Sequence, residues 1–118
     1  QHPKIGKVYW PGFEDHPNHE IAKKQMKDFG GMLSFTLKDD NVAKATKLME
    51  SVELFSLAES LGGVESLIEH PWLMSHSSMG VEGLKKSGIT KETIRVSVGI
   101  EGHNDLIDDL SRALATAK

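Results

Sequence analysis

The sequence predicts an α+β domain: a small, mostly antiparallel sheet with helices packed on one face. Three observations carry this reading. Two segments alternate apolar and polar residues, "MLSFTL" at 32–37 and "TIRVSVGI" at 93–100. Two others place apolar residues at helical spacing, "NVAKATKLMESV" and the stretch from Asn104 to Ala117. Strand-like and helix-like segments interleave, but their connections are too irregular for a run of βαβ units.

Taken in order, "KVYW" (Lys7 to Trp10) is a β-prone run stopped by Pro11-Gly12. "DHPNHEIAKKQMKDFGG" reads as a helix, with Asp15 as N-cap, Pro17 in the first turn and Gly30-Gly31 as its stop. Its face is His19, Ala22 and Met26. Lys23, Lys24 and Lys27 crowd the C-terminal half, where the helix dipole favours cations. In the strand "MLSFTL", Leu33, Phe35 and Leu37 share one side. The helix after Lys38-Asp39-Asp40 aligns Val42, Ala45 and Met49, with Leu48 and Val52 beside them.

"ELFSLAES" reads as a strand broken by Gly62-Gly63, Val64 to Glu69 as a short helix before Pro71, and "VEGLKKSG" as a weak helical turn. In "TIRVSVGI", Ile94, Val96, Val98 and Ile100 point one way, and Arg95, Ser97 and Gly99 the other. The last helix buries Leu106, Leu110, Ala113, Leu114 and Ala117, with Ile107 alongside. Gly102 is a tolerable N-cap, and Asp105 suits the first turn. The second sheet face then carries Ser34, Thr36, Arg95, Ser97 and Gly99. It is polar and sparsely charged, and is either wet or covered by something outside this chain.

At 118 residues the chain suits one domain with its own core. A formal net charge of −3 argues against nucleic acid and anionic membranes as partners. With no cysteine, disulfides, thiolate metal sites and thiol catalysis are excluded. No apolar run approaches the roughly 20 residues of a membrane span. Gln1 to Lys7 hold no apolar signal core, which leads to the expectation of a cytoplasmic protein. The missing initial Met fits a fragment of something longer.

Candidate chemistry is sparse. His16 and His19 stand three apart beside Glu20. However, His2, His16 and His70 each precede a proline, no HExxH or cysteine pair exists, and no native metal is expected. Ser75, His76, Ser77 and Ser78 form no G-x-S-x-G elbow, and the base of a triad must approach from another element. "GGVES" and "FGGM" lack phosphate-loop spacing. Arg112 reads as a solvated helix residue. Arg95, in mid-strand, reads first as a surface arginine. The second reading is a rigidly mounted fork that grips a carboxylate with two parallel hydrogen bonds.

Three ordered blocks, "HPNHEIAKKQMKDFGGMLSF", "LFSLAESLGGVESLIEHPWLMSHSSM" and "TIRVSVGIEGHNDLIDDLSRAL", change that balance. Together, from about Val8 to Leu114, they resemble the C-terminal domain of the Cys/Met-metabolism pyridoxal-phosphate enzymes, nearest the cystathionine γ-synthase and γ-lyase branch. The resemblance implies the small domain of the aspartate-aminotransferase type. It also implies elimination or replacement at Cβ or Cγ of a sulfur or homoserine-derived amino acid. On this reading residues 1–118 are a single C-terminal small domain. The large N-terminal domain, which binds the cofactor and supplies the Schiff-base lysine, is not in this chain. Lys47 in "ATKLM" and Lys91 in "ITKET" lack the flanking residues of the lysine motif, so no catalytic residue is assigned here.

The resemblance also assigns a site. Arg95 matches the arginine that binds the substrate α-carboxylate. Ser60 matches a serine whose surroundings touch that carboxylate and the cofactor. Glu59 matches a position at the active-site mouth that influences reaction specificity, and Leu61 follows with its backbone near the substrate. Pyridoxal phosphate is expected in the full-length enzyme and not on this chain alone. The expected partners are the missing domain, an amino-acid substrate and further copies in a homotetramer. The alternative is a stand-alone binding module without catalysis. The chain departs from the family at Gly102, where members commonly read "GIED", and in "SMGVEGLKKSGI", which lacks a proline and an arginine many members carry. Trp72 is larger than the residue usual after "EHP".

Overall fold

A computed structural model describes residues 2–38, 42–58, 61–87 and 89–116, without the side chains of 75–79, 81, 84 and 85. The sequence candidates Glu59 and Ser60, and the side chains of the Ser75-His76-Ser77-Ser78 cluster, therefore lie outside the described set.

The chain runs β1 (Ile5–Tyr9), α1 (His19–Gln25), β2 (Met32–Leu37), α2 (Val42–Ser51), β3 (Ser56–Leu57), β4 (Leu67–Glu69), α3 (Pro71–Lys86), β5 (Thr93–Ser97) and α4 (His103–Thr116). The strands form one sheet of order β1-β2-β5-β4-β3. Among the described residues, β1–β2, β2–β5 and β4–β5 are antiparallel, and β3–β4 is parallel. The expected α+β class is what the chain adopts.

The strictest sequence patterns build the core. Phe35 pairs with Ile94, and Val96 with both Leu33 and Ile68, so one face of three adjacent strands is aliphatic and aromatic. Ala45, Leu48 and Met49 of α2 and Leu106, Ala113 and Leu114 of α4 close over that face in one buried cluster. Burial of such side chains contributes about 1.5–3 kcal/mol each and is the main driving force for this layer.

Asp109 interrupts the apolar stripe of α4 and is nonetheless buried. Its Oδ1 accepts the amide of Glu53 at 2.8 Å, and its Oδ2 accepts those of Leu54 and Phe55 at 2.8 and 3.3 Å. Those amides follow α2 and have no helical partners. Burial pushes the Asp109 carboxyl up, but these three bonds and the Arg112 guanidinium outweigh it and leave the group below its usual range. Arg112, expected to be merely solvated, reaches Asp109 at 2.5 Å and Glu53 at 3.4 Å.

Several expected elements are corrected. Helix α1 starts at His19 after Asn18, so Asp15 is not its cap, and it ends at Gln25 instead of running to Gly30-Gly31. Met26 turns extended, and Phe29 is drawn into edge contact with Trp10 and a stack on His19. Of the expected α1 face, Ala22 is buried, whereas Met26 is exposed. Of the strand read in "ELFSLAES", the described residues 53–58 are strand at Ser56–Leu57, and the helix read from Val64 to Glu69 is instead a bend leading into β4 at Leu67–Glu69. Of the weak turn read in "VEGLKKSG", 81–86 belong to α3, which is broken at Gly80 (φ 69°, ψ 171°), and Gly88 lies outside the described residues.

β5 stops at Ser97, because Val98 N–H donates to the Gly31 carbonyl and Ile100 N–H to that of Val64, outside the ladder. Val98 and Ile100 therefore leave the apolar face and are exposed. Ile107 is exposed as well.

Candidate functional site

The second sheet face is set by register. Arg95 lies between Ser34 of β2 and Glu69 of β4, and Ser97 between Met32 and Leu67. Tyr9 on β1 extends the same row beyond Ser34. Because Ile94 and Val96 enter the core, alternation turns Arg95 to the side away from α2 and α4.

This face is not simply wet. Glu69, Thr93 and Ser97 are buried. The Arg95 side chain keeps 30% of its exposure, against 9% for Glu69, and the two meet at 2.6 Å between Nη2 and Oε1. A buried carboxylate thus holds one edge of a half-exposed guanidinium. Such a pair supplies orientation, since desolvation offsets much of its attraction.

The glycine-rich bend lands on this same face. β3 and β4 are parallel neighbours, so the chain must return across the sheet between them. On that return, Gly62 N–H donates to the Ser97 hydroxyl oxygen at 2.8 Å, two residues along β5 from Arg95. Gly62 has φ +77°, which a side chain would strain.

A second tie follows. Ser66 N–H and hydroxyl both donate to the Glu101 carboxylate, at 3.0 and 2.8 Å, and the same hydroxyl accepts the Gly99 amide at 2.8 Å. The Ser66 amide, then Glu101's own amide and the Ser66 hydroxyl, hold the Glu101 carboxyl below the usual carboxylate range. Gly99 is needed for the approach: a Cβ there would stand 2.3 Å from the Val64 carbonyl oxygen.

Of the sequence candidates, Arg95 and Leu61 are described. Leu61 is half exposed and adjoins Gly62, so its stretch of backbone reaches the Arg95 face. Sequence reasoning missed Glu69, whose place opposite Arg95 disappears when 64–69 is read as a helix. It also missed Ser97 as the anchor of the bend. The available signal was the shared parity of Arg95 and Ser97 on one strand.

The histidines have local tasks. His16 Nδ1 accepts the Asn18 amide at 3.0 Å, and His19 Nδ1 lies 2.7 Å from the Pro11 carbonyl. His70 is fully buried, its Nε2 2.6 Å from the Lys91 carbonyl, while its Nδ1 accepts the Leu73 amide at the start of α3. Among the described residues no cluster of three or more His, Asp or Glu side chains is poised to hold a metal, and no helix is long and apolar enough to cross a membrane.

Lys47 is exposed on α2, and Lys91, in the turn before β5, lies 5.8 Å from the Trp72 ring centroid. Among the described residues this face carries the Arg95 guanidinium and the Ser97 hydroxyl, and at its β1 edge the Lys7 amine lies 4.9 Å from the Tyr9 ring centroid. A guanidinium mounted in this way can grip a carboxylate.

Comparison with known proteins places the chain in a family. Residues 1–115 match the family model described as Cys/Met metabolism PLP-dependent enzyme. The chain is 55% identical over 114 residues to a cystathionine beta-lyase of Coxiella burnetii, covering 97% of this chain and 29% of that protein. It is 51% identical over the same length to a cystathionine gamma-lyase of Dictyostelium discoideum, again covering 97% and 29%. The crystal structure of cystathionine gamma synthase from Xanthomonas oryzae pv. oryzae in complex with cystathionine superposes with a TM-score of 0.91 at 43% identity, over 98% of this chain and 30% of that one. The chain thus spans under a third of the length of these relatives, whose names include β-lyase, γ-lyase and γ-synthase alike. On the family match and these identities, the chain belongs to the Cys/Met metabolism PLP-dependent enzymes.

Proposed function

We propose that this chain is the C-terminal substrate-binding domain of a trans-sulfuration enzyme acting at Cβ or Cγ of sulfur or homoserine-derived amino acids. The large domain that carries the cofactor lies outside this chain. Arg95 anchors the substrate α-carboxylate, and the 59–62 bend, with Glu59, Ser60 and Leu61, borders the same pocket. The full-length protein is a cytoplasmic homotetramer, and the isolated chain neither binds pyridoxal phosphate nor turns over substrate.

The observation that supports this best is the coincidence on one sheet face of Arg95, turned away from the helices, and Gly62, fastened to Ser97. The first is a strand-mounted fork, and the second brings backbone against it. Pyridoxal phosphate, when bound by the other domain, supplies the electron sink for charge developing at Cα. Arg95 fixes one end of the amino acid and so orients its Cα–H bond toward the base.

In the full-length, cofactor-loaded protein, Arg95→Ala is expected to raise KM for the amino-acid substrate about 10- to 150-fold. That corresponds to losing a charged hydrogen-bond contact of about 1.5–3 kcal/mol. Cofactor absorbance should stay intact. An unchanged KM would reject Arg95 as the anchor.

A further inference from the structure

Glu69 has an unusual combination of properties. It is a carboxylate only 7% exposed, at the end of a three-residue strand, directly opposite Arg95 in the ladder. Its Oε1 meets Arg95 Nη2 at 2.6 Å. The next residue is the fully buried His70, bonded to the Lys91 carbonyl and to the Leu73 amide. Glu69 is therefore mounted on a fixed point, whereas the arginine it touches is long and half exposed. A guanidinium grips a carboxylate through a planar two-bond fork, and fixing that plane beforehand lowers the ordering cost of binding.

We infer that Glu69 is the positioning residue for Arg95: by holding the guanidinium from the buried side, it sets the direction in which that group faces the substrate α-carboxylate. This deepens the proposed function and rests on Arg95 being the anchor. Glu69 touches no substrate. It acts through Arg95, and its influence on binding vanishes when Arg95 is absent.

The test uses the full-length, cofactor-loaded protein and two probes followed by the cofactor's absorbance. Glycine carries an amino group and an α-carboxylate; methylamine carries the amino group alone. Glu69→Ala is expected to weaken glycine binding roughly 10- to 100-fold and to leave methylamine binding unchanged. Glu69→Gln keeps the shape and one neutral acceptor oxygen, so it should weaken glycine binding less. It also remains informative if the alanine variant does not fold. In an Arg95→Ala background, Glu69→Gln should change glycine binding no further.

Equal weakening of both probes, or an undiminished Glu69→Gln effect without Arg95, would make Glu69 merely structural and overturn the inference. Normal glycine binding by both Glu69 variants, alongside weakened binding by Arg95→Ala, would overturn it while leaving the anchor in place. Normal glycine binding by Arg95→Ala would remove the anchor and Glu69's role together.

Discussion

The two faces of the sheet are built by different means. The helix-covered face is held by area: Phe35, Ile94, Val96 and Ile68 meet Leu48, Met49, Leu106 and Leu114. The Arg95 face is held by named polar contacts: Arg95 to Glu69, Gly62 to Ser97, and Ser66 to Glu101. Area is forgiving, because neighbours repack around a change. A polar contact has one partner and one geometry. Changes on the first face should therefore show as stability, and changes on the second as substrate affinity.

Asp109 tests the first half of that contrast, with the largest expected effect. It lies under the helices, yet holds three backbone amides by direct bonds. Asp109→Ala leaves those donors without the carboxylate, the Phe55 amide in a buried setting and those of Glu53 and Leu54 in partly buried ones, and a buried donor left unpaired costs about 1–3 kcal/mol. We expect the full-length protein to lose about 2–3 kcal/mol in denaturant unfolding, with KM of the folded fraction unchanged. Asp109→Asn should lose less. A KM shift in either variant would show that the two faces are not separable.

Gly99 tests the other half. A methyl group there would collide with the Val64 carbonyl and with Glu65, so the 64–66 segment must lift from β5. Gly99→Ala is expected to cost about 1–3 kcal/mol and also to raise KM, because that segment continues the bend on the Arg95 face. Loss of stability without a change in KM would detach the bend from the pocket.

These contrasts also explain what the sequence could show. Alternation in 32–37 and 93–97 and helical spacing in 42–51 and 103–116 report burial against one common core, so both were legible from local pattern. Strands of two and three residues cannot display a period, so 64–69 reads as a helix although it ends in β4. Asp109 was visible as a polar residue on an apolar stripe, but its partners lie more than 50 positions away. Arg95 and Leu61 entered as candidates through resemblance in long blocks, since local pattern alone left Arg95 as a surface residue. Glu69 is invisible until β4 is paired with β5.

The smallest effect concerns pH and the junction between the two regions. His70 joins β4 to α3 and is buried; burial lowers its pKa from the ordinary 6.5, against the raising influence of the Lys91 carbonyl. Its folded pKa therefore lies below its unfolded one. Between the two values the unfolded chain binds the extra proton, and stability falls as pH falls. This contribution is complete above about pH 6.5 and is lost as pH drops through the folded value. His70→Gln offers an amide N–H to the Lys91 carbonyl without a titrating ring. We expect thermal unfolding of the full-length protein to slope down less steeply below pH 6.5 in this variant than in the parent. If the slopes coincide, His70 does not carry the acid sensitivity of this junction. A KM that worsens in the parent alone over the same pH range would show that His70 supports the Glu69–Arg95 pair as well as α3.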